Sequence, residues 1–198
     1  MKNKDIDILE YKKKLKQHLL DICPTVVPDE LKILIDKFTL KKFKKNELLI
    51  EAGTYSNKLF FIGRGIVRVF YFKEDKEITN ALVKENEIIA GAYSIFTGEK
   101  SFNNYETLEA SITLYIEYSE LEKLYNKFHS LERLGRLLVQ KYYATYIKKT
   151  HDVLFLSAEE RYANFIRNHV ELINRVSLRF IASYLGVAQE TLSRLRSK

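Results

Sequence analysis

In Ser177-Leu-Arg-Phe-Ile-Ala-Ser-Tyr-Leu-Gly-Val-Ala-Gln-Glu-Thr-Leu-Ser-Arg-Leu-Arg-Ser-Lys198, two short apolar-periodic segments flank Gly186. Ile181 and Leu185 sit four apart on the first, and Leu192 and Leu195 sit three apart on the second, the spacing of one helical face. Ala182 is small where two helices must cross closely, and Gly186 can take the positive φ of a tight turn. Val187 follows as an apolar plug. Ser177 can cap the first helix, because its hydroxyl can accept an otherwise unpaired backbone N–H. The spacing predicts a helix-turn-helix whose second helix could enter a DNA major groove. Its exposed residues would be Gln189, Glu190, Ser193, Arg194 and Arg196, all able to bond base edges or phosphates. The plainer alternative is an αα-hairpin with a solvated polar face.

The charge of the whole chain agrees with an anionic partner. Its 198 residues carry a net charge of +7, and from Arg175 to Lys198 there are five cations against Glu190 alone. The N-terminal run with Lys2, Lys4, Lys12, Lys13, Lys14 and Lys16 is interleaved with Asp5, Asp7 and Glu10, and reads as a solvated helix face. Hydrophobic residues at 46% and charged ones at 30% describe a globular chain with a real core. A single cysteine, Cys23, excludes an intrachain disulfide and a cysteine-held zinc or iron–sulfur site. No stretch has the length of an apolar membrane span, and the charged N-terminus lacks a signal-peptide core. A cytoplasmic protein without a membrane partner is expected.

Residues 4–22 read as a helix with Ile6, Leu9, Leu15, Leu19 and Leu20 on one stripe, and a short helix follows Pro28 with Leu31, Leu34, Ile35 and Phe38. From Phe43 to Ile116 short runs rich in Ile, Val, Phe and Tyr alternate with turn signals. These runs are 48–51, 58–62, 66–71, 79–83, 87–90, 105–110 and 113–116, with bends at Gly53, Gly63, Gly65, Gly91, Gly98 and Glu74-Asp75-Lys76. Such spacing suggests an antiparallel barrel or jelly-roll. Phe60, Phe61, Phe70, Tyr71 and Phe72 read as core. From Ser119 the period is helical, and Leu131, Leu134, Leu138, Tyr142 and Thr145 continue with near-heptad spacing over about 30 residues. An apolar seam on so long a helix points to a partner helix, with packing against the β-roll as the alternative. Ser157 and Glu160 form a capping box for the next helix.

The order of helix, β-roll, long helix and helix-turn-helix resembles the Crp–Fnr family of bacterial transcription regulators. The resemblance is sharpest in Ala182-Ser-Tyr-Leu-Gly-Val-Ala-Gln-Glu-Thr-Leu-Ser-Arg194. It extends to Asn46-Glu-Leu-Leu-Ile-Glu-Ala-Gly53, Leu59-Phe-Phe-Ile-Gly-Arg-Gly-Ile-Val-Arg-Val-Phe70 and Ser157-Ala-Glu-Glu-Arg-Tyr162. It implies an α+β chain in three parts: a jelly-roll-like β-roll with N-terminal helices (1–118), a long connecting and dimerisation helix (119–152), and a helix-turn-helix DNA-binding domain (153–198). By the matching positions Glu190, Ser193 and Arg194 would read bases, with Gln189 tuning the preferred site. Arg194 suits guanine O6 and N7, and Glu190 suits a cytosine amino group. Thr191, Arg179, Arg196 and Lys198 would hold phosphates. Leu131, Leu134, Leu138 and Tyr142 would line the dimer interface. Ala188 stands where many members carry a capping Ser or Thr, and the β-wing that follows this helix in many members is not expected here.

The effector pocket departs from the family further. Cyclic-nucleotide-binding members carry a Glu on the ribose hydroxyls and an Arg clamping the cyclic phosphate. Here Gly91, followed by Ala92, stands at the first place, and Lys100 and Ser101 stand near the second. No arginine occurs between Arg68 and Arg133. Lysine lacks the bidentate fork of a guanidinium, and Glu99 beside it would repel a phosphate. Cyclic AMP and cyclic GMP are therefore not expected ligands. Haem is not expected either, since His18, His129, His151 and His169 all fall on predicted helices. A cupin-type metalloenzyme is disfavoured because residues 43–116 contain no histidine. No metal, cofactor or catalytic activity is expected. The expected partners are double-stranded DNA and a second copy of the chain, with RNA polymerase and an unidentified small-molecule effector as further candidates. The competing reading is a ligand-sensing or protein-interaction module whose helix-turn-helix no longer binds DNA.

Overall fold

The computed structural model describes residues 8–197. Two helices, α1 (Ile8–Ile22) and α2 (Pro28–Asp36), precede strands β1 (Thr39–Phe43), β2 (Leu48–Ile50), β3 (Lys58–Arg64), β4 (Val67–Lys73), β5 (Lys76–Val83) and β6 (Ile88–Ala90). Helix α3 (Ala92–Thr97) interrupts the strands before β7 (Asn104–Thr107) and β8 (Ser111–Glu117). Five more α-helices follow, α4 (Tyr118–Lys127), α5 (His129–Phe155), α6 (Ala158–His169), α7 (Leu178–Leu185) and α8 (Gln189–Arg196).

The strands form two antiparallel four-stranded sheets, ordered β1-β8-β3-β6 and β2-β7-β4-β5, in a jelly-roll-like arrangement. Phe43, Phe60 and Ile62 from one sheet meet Ile50, Val69 and Tyr105 from the other, so apolar side chains fill the space between them. Strand β1 begins four residues before the predicted roll. Its Thr-Leu-Lys-Lys-Phe lacks a clean alternation, and pairing with β8 along its whole length holds it extended. No periodicity in the sequence announces the six-residue helix α3; Gly98, at φ 73°, ends it in the left-handed conformation that suits glycine. Phe60, Phe61 and Phe70 are buried as expected, but Phe72 stands exposed near the end of β4, beyond the cover of either layer.

The apolar stripe at the start of α5 lies inside the chain. Leu131, Leu134 and Leu138 are buried with Leu15, Leu19, Leu31, Phe61 and Leu114, against α1, α2 and the sheet containing β3 and β8. They are not available as a dimer seam. Tyr142 is half-buried, and its hydroxyl accepts the Ile88 N–H at 2.8 Å. Two apolar stripes run along α5, and the one with the near-heptad leucines is the one that the rest of the chain covers. The exposed stripe is Val139, Tyr143, Tyr146, Thr150 and Val153, at alternating spacings of four and three. The helix breaks at Phe128, whose extended backbone separates α4 from α5. Among the described residues no helix is long and apolar enough to cross a membrane.

Candidate nucleic-acid interface

The C-terminal helices are built on local signals that the sequence carries openly. Ser157 caps α6 through a complete capping box: its hydroxyl accepts the Glu160 N–H, and Glu160 accepts the Ser157 N–H at 2.8 Å. The Ser157 interaction holds the Glu160 carboxyl below its ordinary range. Ser177 caps α7 by accepting the Phe180 N–H. Gly186 sits at φ 65°, and the Val187 N–H returns to the Ala182 carbonyl at 3.0 Å, turning the chain sharply into α8. Replacing Gly186 by alanine should cost about 1 kcal/mol in a chemical-denaturation midpoint, because an L side chain is strained at that φ. Ala188 precedes α8 without a side-chain cap.

Leu192 is fully buried with Phe165, Ile181, Ala182 and Leu185, so one face of α8 is locked onto α6 and α7. The opposite face is open: Gln189, Glu190, Ser193, Arg194 and Arg196 are all exposed. Among the described residues no ion pair engages Arg194 or Arg196. Thr191 is half-buried at the edge of the open face. Arg179 is exposed on α7, with its guanidinium 3.5 Å from Glu77 and lying over the Phe180 ring. Lys198 lies outside the described residues.

The α7–α8 pair is held against its own roll, which the sequence did not reveal. The apolar cluster under α7 and α8 includes Ile66, Leu82 and Leu108 from the roll. Ser183 accepts the Thr79 N–H at 2.8 Å and donates to the Glu77 carbonyl. Arg175, after α6, pairs with Glu85 at 2.6 Å and also with Glu109, and Lys84 pairs with Glu171. Arg68 on β4 is only 1% exposed and lies between the rings of Phe70 and Phe180, 4.2 and 3.8 Å from their centres. Its Nε donates to Thr79 Oγ1 at 3.0 Å and its Nη1 to Glu77 at 2.8 Å. Burial pushes this guanidinium down from its ordinary value, while Glu77 and Glu106 pull it back up. The available signal was an arginine in an otherwise apolar Ile-Val-Arg-Val-Phe run.

At the effector position Gly91 packs directly against Ser56. A Cβ added at Gly91 would lie 2.6 Å from Ser56 Cβ, so no carboxylate side chain fits there as the loop stands. Ala92 is exposed at the start of α3. Ser101 is buried, and its hydroxyl donates to the Asn103 carbonyl at 2.9 Å. Lys100 is exposed, with Nζ 5.9 Å from the centre of the Tyr55 ring. The four residues do not converge on a cyclic phosphate.

Comparison with known proteins bears on this geometry. Residues 40–128 match the family model of the cyclic nucleotide-binding domain. A search of curated proteins found no significant match. Among solved structures the chain is similar to FixK2 from Bradyrhizobium japonicum, at 18% identity and a TM-score of 0.72, covering 81% of this chain and 83% of that one. It is also similar to a Crp/Fnr-family regulator, described as putative, from Eubacterium rectale, at 13% identity and a TM-score of 0.68, covering 89% and 85%. A third is a CooA mutant from Carboxydothermus hydrogenoformans, at 19% identity and a TM-score of 0.65, covering 83% and 77%. Residues 40–128 thus resemble the cyclic nucleotide-binding domain, on a chain that shares the fold of Crp–Fnr regulators.

Proposed function

We propose that the chain is a DNA-binding transcription regulator of the Crp–Fnr type, acting as a homodimer on a pseudo-palindromic operator. The observation that carries this reading is the open row on α8: Gln189, Glu190, Ser193, Arg194 and Arg196 face solvent while Leu192 anchors the helix from behind. In this reading α7 and α8 are the helix-turn-helix. Glu190, Ser193 and Arg194 read base edges, and Thr191, Arg179 and Arg196 hold phosphates. Arg179 then exchanges its long contact with Glu77 for a phosphate. Selection of bound sequences from random duplex DNA tests the reading. Two half-sites about 34 Å apart are expected, one for each recognition helix. Binding without sequence preference would overturn it.

The dimer seam in this reading is the exposed stripe Val139, Tyr143, Tyr146, Thr150 and Val153, whose 3.5-residue period matches a paired-helix contact. Tyr143→Glu with Tyr146→Glu should give monomers in sedimentation. Leu134→Glu should instead unfold the chain, because that leucine is 3% exposed in the core. A wild-type monomer at tens of micromolar would refute the dimer.

In this reading the roll binds neither cyclic AMP nor cyclic GMP, since Gly91 and Ser101 supply neither the ribose carboxylate nor the phosphate clamp. Calorimetry should detect no binding of either nucleotide at micromolar concentrations. Micromolar affinity would show that Lys100 or an arginine from outside the roll substitutes for the clamp.

A further inference from the structure

A cavity lies where α5 crosses α6 and α7, away from the roll's effector position. Its volume is about 290 Å³, at the small end of ligand sites, and Lys149, Asp152, Arg161, Asn164, His169 and Tyr184 are among the residues that line it. Two of these lining residues each carry a buried nitrogen without a hydrogen-bond partner among the described residues, Arg161 Nε and His169 Nδ1. Such atoms are costly unless a bound molecule or water satisfies them. The rest of the Arg161 guanidinium is engaged, Nη1 donating to the carbonyls of Val153 at 3.1 Å and Leu156 at 2.8 Å and Nη2 to that of Gly186 at 3.5 Å, which fixes it in place.

Lys149 adds a cation without a counter-charge. Its ammonium donates to the Asn80 carbonyl and stands 4.4 Å from the centre of the Tyr184 ring. Among the described residues no carboxylate pairs with it. Asp152, on the same helix, is engaged by Lys148 at 3.0 Å and by His151 at 3.5 Å. Lys148, Lys149 and Arg161 therefore outnumber Asp152 around the cavity.

We propose that this cavity binds a small oxyanion, carboxylate or phosphate in nature, between Lys149, Arg161 and His169. The anion would satisfy the two orphaned nitrogens and neutralise the unpaired ammonium. Because its walls come from α5 on one side and α6 and α7 on the other, the ligand also sets how the α7–α8 pair sits on the rest of the chain. That coupling rests on the regulator reading; the binding itself does not.

Burial alone lowers Lys149 to about 8. The charged and titratable groups facing it are Lys148 and Asp152 on α5, Arg161 and His169 on α6, and Tyr184 on α7, with the Asn80 amide on β5. Burial also keeps His169 below its ordinary value and raises Tyr184, so neither exchanges protons strongly at pH 8. An anion beside Lys149 raises its pKa, and binding at pH 8 must then take up protons.

Calorimetry on the full chain with inorganic phosphate and with succinate, in two buffers of different ionisation heat at pH 8, tests the proposal without DNA. Binding by at least one probe with proton uptake is expected, and which probe binds separates phosphate from carboxylate ligands. Lys149→Met should weaken binding at least tenfold and abolish the uptake. Thr145→Trp, which leaves every charge in place and fills the rim, should also block binding. No binding of either probe at millimolar concentration would overturn the proposal, as would binding indifferent to both substitutions. Sequence-selective DNA binding could survive either failure, so the two readings fail separately.

Discussion

Alanine at Arg68 should destabilise the folded chain by about 3 kcal/mol, at the lower end of the cost of breaking a buried ion pair. The side chain joins three elements at once: β4 carries it, Thr79 and Glu77 on β5 accept from it, and Phe180 on α7 covers it. Removing it leaves Glu106, already raised by burial, with less positive charge nearby, and opens a gap between two aromatic rings. The value falls at the low end because Glu77 is one-third exposed and can turn to water. For a chain of this size such a loss lowers the melting temperature by about 6–12 °C. Arg68→Lys should recover only part of it, since an ammonium neither stacks between two rings nor reaches both acceptors as a planar fork. A midpoint shift under 1 kcal/mol for the alanine variant would mean that the α7 docking does not depend on this arginine.

Arg68 also marks where the sequence stopped being informative. Wherever local chemistry decides the structure, the residues could be read directly. Ser157 with Glu160 starts α6, Ser177 starts α7, Gly186 turns the chain, and the alternating runs from 58 to 83 form strands. What was missed depends on packing between distant segments. Leu131, Leu134 and Leu138 have near-heptad spacing, and so does the stripe from Val139 to Val153. Only the three-dimensional arrangement shows that α1 and α2 cover the first and leave the second open. The contacts of Ser183 with Glu77 and Thr79 join residues more than a hundred positions apart, as does the bond from Val27 N–H to Ser130, and no periodicity announces them. The candidate DNA-reading residues were legible because they lie on a single eight-residue helix. The cavity around Lys149 was not, because its walls come from three helices.

Arg194→Ala should lower operator affinity by about 1–3 kcal/mol per half-site, or about 2–6 kcal/mol for a dimer on two well-separated half-sites. The guanidinium is exposed on the open face of α8 and, among the described residues, has no ion pair to give up on binding. Its planar fork can reach O6 and N7 of one guanine together, so its loss should flatten preference at one base position and leave the others sharp. Arg196→Ala provides the contrast. A phosphate contact carries no base information, so that variant should weaken operator and random duplex alike and reduce the dependence of log affinity on log salt by about one per lost contact. Titrating each variant against the selected operator and against random duplex, at two salt concentrations, separates the two roles. If Arg194→Ala instead weakened both duplexes equally while preference at every position survived, α8 would be gripping the backbone, and sequence would have to be read by another part of the chain.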